Sequence, residues 1–254
     1  MLQTKRHELI CKWLTEDKSL SIKELSQRLG ASTMTIHRDL DFLDWQGLVK
    51  RVRGGVVATD SLSSKFLFDD RSLQNVPQKR KIADFAAKNL VQPKDILSME
   101  GGTTVSMMTR NLLQPNLTIL TNGLRIISDL ADKQLNTTVL STGGTVNYSE
   151  QIYIGPHAAA FFANFRVHKC FVGADGLTLK DGATEENPNE NAIKRAMVEY
   201  ASEVILLIDS SKIGTSSLVP AIEIDKINTI VTDTDAPQDI INGLAKRGVK
   251  VYTV

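Results

Sequence analysis

The sequence predicts an α/β protein in two parts: a winged helix-turn-helix over residues 1–58 and a parallel-sheet α/β domain over residues 79–254, joined by a linker over 59–78. Three observations predict it. A chain of 254 residues, 42% hydrophobic and 23% charged, is long for one core, so two domains is the natural division. Near the N-terminus, three apolar patterns of helical period precede a basic Gly-Gly turn. From Lys79 onward, short β-rich runs alternate with helical stretches, the pattern of a parallel sheet covered on both faces.

In the first part, Leu9, Ile10, Trp13 and Leu14 recur at helical spacing and predict a first helix with one buried stripe. In "SIKELSQRLG", Ser21 and Glu24 make a capping box, Ile22, Leu25 and Leu29 form the stripe, and Gly30 ends the helix. Ser32 is placed to cap a third helix, in which Ile36, Leu40 and Leu43 share one face. Met34, Arg38 and Asp41 then fall on the opposite face, flanked by Thr35 and His37. The stretch "LVKRVRGGVV" alternates apolar residues with Lys50, Arg51 and Arg53 around a hairpin signal at Gly54-Gly55.

A capped amphipathic helix alone is ordinary scaffolding. Two helices joined by a tight turn and followed by a basic hairpin form the arrangement that places a second helix in the major groove and a wing on the phosphates. The side chains suit double-stranded DNA, since arginine grips guanine and threonine touches a thymine methyl. The candidate DNA contacts are Ser32, Met34, Thr35, His37 and Arg38 on the helix, with Lys50, Arg51 and Arg53 on the wing, where they are expected to meet phosphates.

Charge supports this only locally. The chain has a formal net charge of +1; residues 1–60 carry 10 Lys+Arg against 8 Asp+Glu, and the remainder 20 against 21. A small basic cluster suffices to steer a polyanion. Cys11 and Cys170 stand alone, without a CxxC or His/Cys cluster, so neither a disulfide framework nor a metal site is expected. The N-terminal stretch is charged throughout and no 18-residue apolar run occurs; no membrane association and a cytoplasmic location are therefore expected.

Between the two parts, "DSLSSKFLFDDRSLQNVPQ" has no clean period and reads as a connector, with Phe66 and Phe68 as anchors. Beyond it, the candidate strands are "DILSM", "LTILT", "TTVLST", "KCFVGA", "EVILLID", "INTIVT" and "VKVYTV". The intervening helices are "KRKIADFAAKNL", "TTVSMMTRNL", "GLRIISDLAD", "PHAAAFFANF", "NENAIKRAMVEYAS" and "PQDIINGLAKRG". In such sheets ligands bind beyond the carboxyl ends of the strands, where the loops "EGGTT", "TNG", "STGGT", "GADG" and "DSSKIG" fall. Gly101, Gly102, Thr103 and Thr104 lie between a strand and a helix start, where backbone N–H groups favour an anion. The loop has neither Walker A nor dinucleotide spacing. Lys212 would supply a counter-charge, while Glu100, Asn122, Asp175 and Glu186 offer hydrogen-bonding groups to a ligand.

The first part resembles the N-terminal domain of the DeoR family of bacterial sugar-metabolism repressors. The matching positions are Leu25, Leu29, Gly30, Ser32, Thr35, Ile36, Arg38, Asp39, Leu40, Leu43, Gly47, Arg51, Gly54 and Gly55. The family usually has arginine where this chain has His37, and often histidine where it has Arg53. The second part resembles the family's sensor domain: its Asp-x-Gly-Thr-Thr falls on Glu100, Gly102, Thr103 and Thr104, with Glu in place of Asp. Its Thr-Asn falls on Thr121 and Asn122, its Gly-Gly on Gly143 and Gly144, and its Asp-Ser-Ser-Lys on Asp209 to Lys212. The resemblance implies a fold like ribose-5-phosphate isomerase, a phosphorylated sugar or polyol effector, no cofactor, and a homo-oligomer (dimer or tetramer) on operator DNA.

A second reading is an enzyme, a sugar-phosphate isomerase with an appended DNA-binding module. "VGADGLTLKDGA" resembles isomerase loops, and Asp175, Lys180, Glu185 and Glu186 would supply a base and its neighbours. Fold analogy does not carry chemistry, so the regulator is the reading adopted and no enzyme activity is expected.

Overall fold

The computed structural model describes residues 3–45, 48–59, 71–131, 133 and 136–254. The family-matched Gly47 and the anchors Phe66 and Phe68 lie outside them. The chain folds as two compact units, the second comprising Ser72–Asn147 and Gln151–Val254.

In the N-terminal unit, α1 (Gln3–Asp17), α2 (Ile22–Leu29) and α3 (Thr33–Trp45) enclose a core with β1 (Ser19–Ser21), β2 (Val49–Val52) and β3 (Gly55–Ala58). Ile10, Leu14, Leu25, Ile36, Leu40, Leu43, Val49 and Val56 are buried together. The expected capping box forms, with Ser21 N–H donating to Glu24 Oε2 and Glu24 N–H donating to Ser21 Oγ. Gly30 ends α2 in the left-handed conformation. Ser32 Oγ accepts from Thr35 N–H and opens α3. The hairpin β2–β3 turns at Gly54-Gly55 and gains a third strand, since β1 pairs with β3. That pairing requires Gly55, because a Cβ there would sit 2.5 Å from Leu20 O.

The C-terminal unit is built on a seven-stranded sheet in which all neighbours are parallel. Its strands are β4 (Ile96–Met99), β5 (Thr118–Thr121), β6 (Thr138–Ser141), β9 (Val167–Val172), β12 (Ala201–Leu207), β14 (Thr229–Thr232) and β15 (Lys250–Thr253). They lie in the order β15-β14-β12-β9-β4-β5-β6. Alternation along each strand feeds two cores. Leu97, Met99, Phe171, Ile205 and Val231 join Ile82, Ala83 and Ala86 of α4 (Val76–Asn89). Cys170, Val172, Val204, Leu206 and Ile230 join Phe162 of α7 (Pro156–Phe162), Ile193 and Met197 of α8 (Pro188–Glu199), and Leu244 of α9 (Gln238–Lys246). Each sheet face thus rests on helices, as both faces of a buried parallel sheet must.

The seven expected strands are those of this sheet. Two departures follow from length. The helix expected over 103–112 is a five-residue α5 (Thr103–Met107) continued as a 3₁₀ turn over Met108–Asn111. A hairpin of β7 (Thr145–Asn147) and β8 (Ile152–Ile154), and a sheet of β10 (Gly176–Thr178), β11 (Gly182–Glu185) and β13 (Val219–Ile222), form where no strand was expected. The helix expected from Lys79 starts earlier, at Val76, and Asn75 before it donates to Asp209 Oδ1 and Ser211 Oγ. Between β5 and β6 runs α6 (Leu124–Ala131). Among the described residues, no helix is long and apolar enough to cross a membrane.

Candidate functional sites

The third helix presents two chemistries. Ile36, Leu40 and Leu43 face the core, while Met34 is 66% exposed and His37, Arg38 and Asp41 are exposed beside it. Ser32 and Thr35 bond to each other through their hydroxyls at 2.9 Å, so both serve the helix start. The basic residues divide. The side chains of Arg38, Lys50 and Arg53 are exposed and make no hydrogen bond or ion pair among the described residues. Arg51, expected on the phosphates with them, instead turns its guanidinium onto α3, to Asp41 and to His37 Nδ1.

Asp39 positions this helix. Its side chain is 1% exposed and accepts Arg6 Nε at 2.8 Å, Arg6 Nη2 at 3.0 Å and His7 Nε2 at 2.9 Å. Burial opposes the charge, but the hydrogen bonds from Arg6 and His7 outweigh it and hold the carboxyl below the usual carboxylate range. His7 also stacks on Phe42. The start of α1 is therefore fastened to the middle of α3. Sequence reasoning missed this role, although Asp39 lies three residues after Ile36 and four before Leu43, inside the apolar stripe, and an acid there needs a partner.

In the C-terminal unit the strand order reverses between β4 and β9, because β5 and β6 are added outward from β4 toward one edge, and β12, β14 and β15 outward from β9 toward the other. Such a reversal opens a crevice at the carboxyl ends of the strands. Glu100 follows β4 and bridges the gap: its N–H donates to Phe171 O at 3.0 Å, and its Oε2 accepts Gly173 N–H at 3.1 Å. A Cβ at Gly102 would lie 2.7 Å from Glu100 Oε2, so a side chain there would have to displace that carboxylate. Gly101 packs on Gly123; a Cβ on Gly101 would come within 2.9 Å of the Gly123 Cα.

Thr121 and Asn122 require a correction. Both were expected to meet the ligand, but both are buried and serve the neighbouring loop. Asn122 Oδ1 accepts Gly101 N–H at 3.0 Å and its Nδ2 donates to Tyr153 O at 3.3 Å, while Thr121 Oγ1 donates to Met99 O at 2.7 Å. They hold the Gly101–Thr104 loop in shape. Thr103 and Thr104 begin α5. Gly143 and Gly144 turn the chain from β6 into β7 with φ of 63° and 108°.

On the other side of the crevice, Lys212 Nζ donates to Ala174 O at 2.8 Å and to Asp175 Oδ1 at 3.2 Å. Asp175 Oδ2 also accepts Glu186 N–H at 3.2 Å, whereas the rest of Glu186 is exposed. Burial would raise the Asp175 carboxyl, but Lys212 and the Glu186 N–H hold it low. A carboxylate so fixed is a poor proton acceptor.

Beneath these groups lies Lys194 of α8, 2% exposed. It pairs with Glu185, donates to Gly173 O at 2.7 Å, and stands 3.9 Å from Glu100 Oε1. Burial disfavours its charge, yet Glu100 and Glu185 outweigh that and hold it protonated. Burial, with Glu100 and Asp175 near, pushes Glu185 up to about 7 against the pull of Lys194. Lys194 escaped sequence reasoning, although it sits in the buried stripe of Ile193, Met197 and Val198.

Comparison with known proteins matches both units. Residues 6–62 match the family model of the DeoR-like helix-turn-helix domain and residues 74–234 that of the DeoR C terminal sensor domain. The chain is 32% identical to a putative aga operon transcriptional repressor of Escherichia coli O157:H7, over 99% of this chain and 94% of that one. It is 30% identical to the HTH-type transcriptional regulator GlpR of Haloferax volcanii, over 99% and 98%. Among solved structures, a ribose 5-phosphate isomerase from Plasmodium falciparum aligns with a TM-score of 0.40 at 13% identity, over 54% of this chain and 52% of that one.

Proposed function

Because the chain belongs to the DeoR family of DNA-binding transcriptional regulators, we propose that it represses a carbohydrate-utilisation operon in the cytoplasm and responds to a phosphorylated sugar or polyol. Residues 1–58 read operator DNA, residues 59–78 connect, and residues 79–254 sense. The protein works as a homo-oligomer, and the repressor sense is supported by the name of the Escherichia coli relative.

The observation that carries the effector reading is the crevice where the sheet reverses. Its loop of Gly101 to Thr104 leads into the start of α5, and Glu100, Asp175 and Lys212 follow the neighbouring strands β4, β9 and β12. A phosphate would take the loop N–H groups and compete with Asp175 for Lys212, while the carboxylates would accept hydroxyl hydrogen bonds. Gly143 and Gly144 close the same edge beyond β6.

The isomerase alternative is not favoured. The relatives are regulators, and among the carboxylates it would draw on, Asp175 is held ionised by Lys212. Thermal melts with a panel of sugar phosphates and their dephosphorylated counterparts test the effector. A true effector at 100 times its Kd adds about 2.7 kcal/mol of stability. Lys212→Ala should weaken the phosphorylated compound far more than the neutral one; equal losses would leave a generic polyol site.

A further inference from the structure

The wing strand is fastened to the third helix through one arginine. Arg51 N–H donates to Asp44 Oδ1 at 3.2 Å. The Arg51 guanidinium donates through Nη1 to Asp41 and reaches His37 Nδ1 through Nη2 at 2.6 Å. His37, Asp41 and Asp44 are spaced i, i+4 and i+7 on α3, so they form one edge of the helix, and that edge faces the wing. A guanidinium has donors and no acceptor. The Nδ1 of His37 therefore offers its lone pair, and the ring carries its hydrogen on Nε2.

We propose that His37 reads an operator base as a hydrogen-bond donor through Nε2, and that Arg51 is a positioning residue that fixes this tautomer and ring orientation instead of anchoring a phosphate. The proposal rests on the reading of α3 as the helix that enters the major groove. A single fixed donor fits guanine O6 or N7, adenine N7 or thymine O4. Cytosine presents only its N4 amino group in that groove and gives the donor no acceptor. His37 thus excludes cytosine on the strand it faces, and Arg51 keeps it from turning to the tautomer that would accept cytosine. The exposed cations Arg53 and Lys50 remain for the phosphates.

The test is selection of binding sites from a random DNA library by the full-length protein and its His37→Ala, Arg51→Ala, Arg51→Lys and Arg38→Ala variants, with salt titrations of each. We expect His37→Ala and Arg51→Ala to lose the same discrimination against cytosine, roughly 3- to 10-fold, the worth of one hydrogen bond. A variant carrying both His37→Ala and Arg51→Ala should lose no more. Arg51→Lys keeps the charge but not the fork that spans Asp41 and His37, and should behave as Arg51→Ala. The salt slope should stay that of the parent. Arg51→Ala weakening all sequences alike, with a slope smaller by about 1, and Arg51→Lys restoring the parent, would overturn the proposal. If Arg38→Ala changes base preference and His37→Ala does not, the proposal fails and the recognition helix stands. If neither changes it, the helix reading falls as well.

Discussion

Lys194 sits between two carboxylates with almost no water, so one negative charge in the group has no partner. The cost of that charge falls on Glu185, whose pKa rises from 4.5 to about 7. The sign follows from linkage. A carboxyl that binds its proton more tightly when folded makes stability fall as pH rises from about 4.5 to 7. Glu185→Gln keeps an oxygen for Lys194 and removes the titration. Its stability relative to the parent should therefore rise between pH 5 and pH 8, by up to about 3 kcal/mol; thermal melts across that range would show it, and a pH-independent difference would count against it. Gly102→Val places side-chain carbons against the Glu100 carboxylate. It should abolish any effector-induced melting shift while leaving operator affinity intact, as measured by parallel melts and gel shifts. The glycine loop was legible in the sequence because glycine between a strand and a helix is a local signal. Lys194 and the inward turn of Asn122 were not, since both depend on partners far along the chain, Glu100 and Gly101.

At the scale of elements, α3 owes its placement to an acid on its buried side. Asp39→Asn would keep the shape and lose the charge that Arg6 and His7 hold. The N-terminal unit should then melt several degrees lower, and operator binding should weaken even though Asp39 is buried. Circular dichroism melts of the full-length variant and gel shifts would check both; an unchanged melt together with an unchanged operator affinity would deny the helix-positioning role. Period and capping made the three helices, the hairpin and the seven central strands readable. The strands β7, β8 and β10 are three residues each, too short to show a period, and β1 is visible only through its pairing with β3. The helix expected over 103–112 overran because Met107 and Met108 continue an apolar helical pattern across the change to a 3₁₀ turn.

At the scale of the whole molecule, the proposed reader and sensor occupy different stretches of chain. An effector can change DNA affinity only if it binds one arrangement of units or subunits better than another. A typical coupling of 1–3 kcal/mol corresponds to a roughly 5- to 150-fold change, and reciprocity requires operator DNA to change effector affinity by the same factor. The most direct test is to titrate operator DNA with the full-length protein, with and without a saturating sugar phosphate that stabilises it in thermal melts. The account predicts operator affinity weaker by a factor in that range with the ligand bound, and no change with its dephosphorylated counterpart at the same concentration. A ligand that binds tightly in the crevice and leaves operator affinity unchanged would contradict it.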